Sequence, residues 1–573
     1  MADDTSAGAG ADWRSVPRPH EVVGPIPVLP TLPSVLRRAV ENWGDLLCMI
    51  DGDRRITFAE ADRQSAELAK GFLAMGIGRG SRVAIQMPNN ADWVLCYFAL
   101  GRIGALPVAF STLYQRREES WALRHNDIDT LLVSERFLSH DYQARLEEAV
   151  PELAGQSRDR PFYLKSHPYL RRVIVWGDNQ RPWAMKGPDD VLARAAATPQ
   201  VDDALLKEME STITPADDLI IICTSGTTAE PKAVVETHGQ GFRNTWNNMP
   251  NLGMRAGEPF YDGLAFFWIG GHLRGINPML FTGACMVLPQ KATGDEILDL
   301  VLRERITVIA PGGRDFHDIN AAIARRKPDL SFVRKFLPHI HRDTGQPMPP
   351  EQRIGGSLGM TETFGTHSTE ALDWPVPPGK ATTWGRPQPD VERRIVHLET
   401  GEVLGPGEVG ELQLRGPTIM RGYLKRERHE CFTPDGFFRT GDRCMIDEDD
   451  FLFFYGRAND MIKTAGANVA PAEVEAVLVA NPEVREAIVF GISDRERGQA
   501  VAAVVVPAEG CAIEPAVLKA RARAEISSYK VPQVIVAMTY DEVPRTDAAG
   551  KPKRNVLREM VEKAREASPG YGQ

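Results

Sequence analysis

Residues 82–87, 90–103 and 105–110 constrain the fold more than any other stretch. The first and third are short apolar runs with strand character. The second has the apolar spacing of a helix, with Asn90 placed to cap it. Strand, helix and strand in so short a span predict a βαβ unit and therefore a parallel sheet. The alternation continues on both sides. Residues 36–42, 58–75 and 138–153 carry helical spacing, residues 130–133, 172–176, 285–288 and 307–310 read as strands, and residues 155–161 read as a polar loop. Thr237 is placed to cap a helix running through Trp246. Residues 391–414 change character. Apolar and polar residues alternate there, with turn signals at Glu399-Thr400-Gly401 and Gly405-Pro406-Gly407, which predicts an antiparallel β subdomain.

A chain of 573 residues is too long for one domain. Helical residues 472–479 and 517–526, with strands at 487–490, 502–506 and 534–537, predict a compact α+β unit at the C-terminal end. The net charge of −10 argues against a nucleic-acid partner held by bulk electrostatics. Seven scattered cysteines without a Cys-x-x-Cys pair argue against a disulfide framework or a zinc site and fit a reducing compartment. Residues 1–12, MADDTSAGAGAD, are small, acidic and polar, and predict a disordered tail rather than a signal peptide. No run of about 18 apolar residues occurs, so no membrane span is expected and the expected location is cytoplasmic.

The most chemical stretch follows the apolar run Leu219-Ile220-Ile221-Ile222-Cys223, which reads as a buried strand. Thr224, Ser225, Gly226, Thr227, Thr228 and Lys232 then fall within TSGTTAEPK. Backbone N–H groups and hydroxyls can donate to phosphate oxygens, Gly226 lets the backbone approach closely, and Lys232 adds a point charge. A polar surface turn is the plainer reading of this stretch alone. It is not the Walker pattern, because no lysine follows a glycine with Ser or Thr next.

Four further stretches follow in order. These are GMTET at residues 359–363, RTGD at 439–442, Tyr455-Gly456-Arg457 with Asp460-Met461-Ile462-Lys463 and TAGANVAPAEVE, and VPRTDAAGKPKR at 543–554. With TSGTTAEPK they resemble the ordered core motifs of the adenylate-forming superfamily, which contains acyl-CoA synthetases, peptide-synthetase adenylation domains and firefly-type luciferases. The resemblance covers residues 36–558. It implies an α/β protein with a large N-terminal domain, 1–456, made of α/β subdomains and a β subdomain. It also implies a small mobile α+β C-terminal domain, 457–573, with a hinge near Asn459. The implied reaction has two halves. A carboxylate attacks the α-phosphate of ATP, releasing pyrophosphate, and a nucleophile, most often the thiol of coenzyme A, displaces AMP. Other acceptors, such as an amine or a carrier-protein thiol, and other acids, such as nitrite, stay open, as does a non-catalytic nucleotide-binding relative.

The resemblance also implies residue roles. Glu362 would ligate Mg²⁺ and Thr361 would bond the α-phosphate, with Leu358 and Gly359 beside the adenine. Asp442 would accept the ribose hydroxyls and Arg457 would lie near ribose and phosphate. Lys551 would bridge the carboxylate and α-phosphate oxygens, where a compact cation neutralises developing charge. Thr546 to Lys551 is one residue longer than the family spacing, so Lys553 is the reserve candidate. Rotation of the C-terminal domain would then replace Lys551 by the Lys463–Asn468 loop, with Gly466 lining the thiol path. Trp268 and Gly270, in FFWIGG, would line the acid pocket, Trp268 standing where relatives carry histidine. Arg314 and His317, in PGGRDFH, are unusually polar for such a wall; if they line the pocket they favour a smaller or polar acid over a long fatty acid, and the plainer reading is that they face solvent. Other departures are Ala229 and Ala233 for loop glycines and Leu358 for an aromatic. Asn459 also replaces the usual hinge Asp or Lys.

Overall fold

Helix Ala91–Arg102 shows why the N-terminal region needs two sheets. Every residue in it except Asp92 is buried, and a helix apolar all round must be covered all round. Asn90 caps it as expected, accepting from the Trp93 amide at 2.9 Å. In this computed structural model, which describes residues 23–224, 231–289, 293–336, 357–369, 380, 383–457, 461–508, 510–545 and 552–567, the helix touches strands of both sheets. One cluster of buried side chains runs from Met49 and Phe260 on one sheet to Val83 and Ile85 on the other.

The first sheet has eight strands. Arg82–Gln86 and Leu106–Ala109 pair in parallel, and Thr130–Ser134, Arg172–Trp176 and Ala184–Gly187 extend the parallel order on one side. Asp218–Thr224 joins the other side, and Lys232–Thr237 folds back antiparallel to it. The second sheet has six strands, with Leu47–Asp51, Pro259–Asp262, Cys285–Leu288 and Val308–Ala310 parallel at its centre. The β subdomain is the antiparallel order Glu392–Val396, Gly410–Arg415, Phe438–Ile446 and Leu452–Arg457. A five-stranded sheet flanked by helices Pro471–Val479, Pro515–Glu525 and Arg554–Ala567 forms the C-terminal unit. No described helix is long and apolar enough to cross a membrane.

Two segments differ from the sequence reading for local reasons. The helix expected over 138–153 is only Tyr142–Ala149. Asp141 caps its start, accepting from the Ala144 amide at 3.0 Å, and Pro151 opens a separate tight turn, Pro151–Gly155. The helix capped by Thr237 runs further than expected, to Leu252, through Pro250, and ends at Gly253 with φ 59°. The tail over residues 1–12 and the hinge at Asn459 lie outside the described residues.

Candidate active site

A cavity of about 450 Å³ opens where the β subdomain, the strand pair around Thr224 and Lys232, and the C-terminal unit meet. It gathers eight of the expected residues: Thr224, Lys232, Leu358, Gly359, Thr361, Glu362, Asp442 and Gly466. Thr224 and Lys232 end two paired antiparallel strands and face each other in register. Gly359 sits on strand Ser357–Met360, whose neighbour Gly365–Thr369 comes close enough that a Cβ at Gly359 would meet the Gly365 carbonyl oxygen at 2.4 Å. Only glycine fits there without moving backbone.

Glu362 and Thr361 lie on the single turn Thr361–Thr363 that follows. That turn is held from behind by Asn244 of helix His238–Leu252. Its side-chain amide donates to the carbonyls of Thr363 at 2.8 Å, Phe364 at 3.2 Å and Thr366 at 3.0 Å. From the front, the Tyr423 hydroxyl donates to Glu362 Oε1 at 2.7 Å, and the Lys232 ammonium lies 4.8 Å from the centre of the Tyr423 ring. One tyrosine therefore links the cation and the carboxylate. Sequence reasoning missed both Asn244 and Tyr423, which lie in no motif.

Asp442 is buried on strand Phe438–Ile446, and its amide donates to Thr440 Oγ1 at 3.0 Å. It pairs in register with Arg457. Lys463, Gly466 and Asn468 reach the cavity from a hairpin of the C-terminal unit, Ile462–Thr464 against Ala467–Val469. Its two turn residues, Ala465 and Gly466, have φ 49° and 83°, the conformation of a tight primed turn. Burial, with nearby Glu362, pushes the Glu236 carboxyl well above the usual range.

The donor set suits Mg²⁺. That ion takes oxygen ligands, and it is usually held by one or two carboxylates plus substrate phosphates rather than by a protein cage. Glu362 supplies one carboxylate, the hydroxyls of Thr224 and Thr361 line the same cavity, and no cluster of three metal-binding side chains occurs among the described residues.

A second cavity, about 360 Å³, holds Trp268 on its wall beside Phe267, Leu113, Leu138 and Leu288. Trp268 is partly buried, and its ring meets that of Phe267 edge-on at 5.2 Å. The loop before it is clamped by Asn89, which donates to the Leu264 carbonyl at 2.8 Å and accepts from the Phe266 amide at 2.9 Å. His272 Nε2 lies 2.9 Å from the Phe266 carbonyl oxygen, and burial lowers that imidazole to about 4. Asp262 is buried against Arg274 at 2.8 Å, and Tyr261 donates to Asp315 at 2.8 Å. Gly270 lies next to this wall, where a Cβ would strike Leu264. The other expected residues divide simply. Ser225, Gly226, Thr227, Thr228 and Lys551 lie outside the described residues, as do the side chains of Arg314, His317 and Arg457. Lys553 is exposed, and it is not among the residues lining either cavity.

Residues 36–424 match the family described as AMP-binding enzyme, and residues 473–551 match its C-terminal domain. The chain belongs to this adenylate-forming family. It is an AMP-forming ligase. A medium-chain acyl-CoA ligase, mitochondrial ACSF2 of Danio rerio, is 31% identical over 93% of this chain and 88% of its own. An indoleacetate–CoA ligase of Aromatoleum aromaticum is 28% identical over 89% of this chain and 94% of its own. Among solved structures, the amide bond synthetase McbA of Marinactinospora thermotolerans superposes with a TM-score of 0.74 at 25% identity. That match covers 92% of this chain and 99% of McbA.

Proposed function

We propose that this ligase joins a carboxylic acid to coenzyme A, through an acyl-adenylate made from ATP with release of pyrophosphate. One observation carries the reading. Lys232, Thr361, Glu362, Asp442 and Gly466, from four separate motifs, line one cavity. Two anions must be brought together in line there, which calls for charge neutralisation and positioning more than for covalent help. Lys232 and the hydroxyls from Thr224 onward bind the phosphates, Thr361 orients the α-phosphate and Asp442 takes the ribose. Glu362, oriented by Tyr423, holds Mg²⁺, which when bound neutralises phosphate charge. Lys551 supplies the cation at the reacting oxygens. The hairpin bearing Gly466 serves the second half-reaction, where the missing Cβ leaves room for a thiol.

The acid lies in the cavity of Trp268, whose apolar walls suit an aromatic or medium-sized aliphatic group. Indole donates one hydrogen bond and accepts none, so Trp268 can meet a carboxylate but cannot act as a base. All seven cysteines are free thiols, which fits a cytoplasmic protein. The likeness to an amide bond synthetase favours one second reading, the same adenylation with an amine as acceptor. ATP–pyrophosphate exchange across a panel of acids, repeated with CoA and with amines, tests both. Acid-dependent exchange with CoA-dependent release of AMP supports the first reading. AMP release only with amines supports the second, and no exchange with any acid overturns both.

A further inference from the structure

Glu118 is the third residue of helix Arg116–His125 and closes its capping box, accepting from the Gln115 amide at 2.9 Å. Such a residue is ordinarily in water. Here Glu118 is buried at 6% exposure, and what covers it comes from the other end of the chain. Lys530 donates to Glu118 Oε1 at 2.6 Å and to Glu473 Oε1 at 2.7 Å. The Ser527 hydroxyl lies 2.8 Å from Glu118 Oε2. Arg116 and Glu525 form an ion pair at the rim. Lys530 is 3% exposed and Glu473 5%. Burial works against the Lys530 charge, yet Tyr529, Glu118 and Glu473 hold it well above the ordinary lysine range.

Three charges taken out of water are tolerable only while they face one another, and removing one partner is costly to the rest. The members of this triad are not equivalent. Lys530 and Glu473 both belong to the C-terminal unit, so their contact travels with it. Glu118 belongs to the N-terminal region, so its contact exists only when the two units are docked as here. Glu473 sits on helix Pro471–Val479, which directly follows the Ile462–Val469 hairpin. The hairpin in turn pairs with strand Gly498–Pro507, which pairs with Val534–Ala537 just beyond Lys530. A rigid movement that parts Lys530 from Glu118 therefore also withdraws Lys463, Gly466 and Asn468 from the cavity.

We propose that Glu118 is a positioning residue for thiol transfer, holding the C-terminal unit through Lys530 and Ser527 so that the Gly466 hairpin stays at the cavity. This rests on the two-half reaction proposed above. Glu118→Gln removes the charge while keeping the volume and a carbonyl oxygen for the cap. Pyrophosphate exchange in this variant stays at the wild-type rate or rises. Thioester formation from supplied acyl-adenylate and CoA falls at least about tenfold, because the docked population shrinks. Hydrogen exchange, which needs no substrate, reads the docking itself. In Glu118→Gln, residues 116–125 and 462–469 exchange faster while the strand over 82–86 does not, and Tm stays close to wild type. Lys530→Gln, which loses both ion pairs, shows the same split with a larger fall in Tm. Equal loss in both half-reactions, or unchanged exchange of both segments, overturns the proposal. A wild-type enzyme that never uses CoA contradicts the acceptor proposed above, and the exchange measurement still decides the role of Glu118.

Discussion

The two cavities are built differently, and on the roles proposed for them the difference separates rate from choice. Around the first, strands and turns far apart in sequence each deliver one or two polar groups, and the backbone fixes each group in place. Around the second, the wall is mostly aromatic and aliphatic, and a carboxylate edge at Asp262 and Asp315 is already engaged by Arg274 and Tyr261. On the proposed placement of ATP in the first cavity, triphosphate and ribose are the same in every turnover, so a rigid polar frame suits them. Acids differ in their tails, so bulk decides which one fits. Substitutions at the first cavity should therefore change rate for all acids alike, and substitutions at the second should change the order of preference.

The largest effect is expected at Lys551. Lys551→Ala should slow adenylation by about 10²–10³ or more for every acid, since the cation proposed to act on developing charge is lost. Transfer from supplied acyl-adenylate should be spared. If rapid-quench assays find this defect in Lys553→Ala instead, the reserve lysine takes the role. Next comes Asn244→Ala, which leaves three carbonyls behind the Glu362 turn without their donor. Unsatisfied buried groups cost about 1–3 kcal/mol, so Tm should fall and the Mg²⁺ concentration for half-maximal exchange should rise. A lower Tm with an unchanged Mg²⁺ requirement would show that Asn244 supports the fold and not the turn.

That these motif residues line one cavity was legible in the sequence, because the proposed phosphate and ribose partners demand particular residue types. Lys232, Glu362 and Asp442 are recognisable from motif and spacing. Asn244 and Tyr423 were not, because their partners are a backbone turn more than a hundred positions away and a carboxylate on that turn, 61 positions away. Gly359 was legible as part of a motif, but its reason, the approach of Gly365, exists only in the folded chain. The second cavity was least legible. Trp268 stood out, but Leu113, Leu138, Tyr261 and Asn89 come to line the same cavity only through tertiary packing. The helix over 142–149 was overextended in the sequence reading because Asp141 and Pro151 interrupt a spacing that otherwise continues.

Smaller effects test the second cavity and the scaffold. Trp268→Ala should shift the ratio of activities toward bulkier acids by about tenfold, the scale of a modest change in pocket volume. Trp268→His should keep adenylation of the native acid. Unchanged selectivity with a large loss of Tm would make Trp268 a core residue only. The smallest effect on activity is expected at Glu119, which lines neither cavity. Burial, partly offset by Gln86 and Arg145, raises its carboxyl from 4.5 to about 7. Between those values the folded chain holds a proton that the unfolded chain has released, so stability falls as pH rises through that window and levels above it. Glu119→Gln should flatten that fall by on the order of 1 kcal/mol in denaturant titrations at pH 5 and pH 8, and leave activity unchanged.

Single-turnover quench with labelled ATP, a native acid and no CoA, followed by addition of CoA, separates the two half-reactions in one experiment. The cavity that joins Lys232, Glu362 and Asp442 to the Gly466 hairpin predicts that pyrophosphate appears first, in step with bound acyl-adenylate. Free AMP and acyl-CoA should then appear together only when CoA is added. Pyrophosphate release without acid, or acyl-adenylate that CoA leaves untouched, would contradict it.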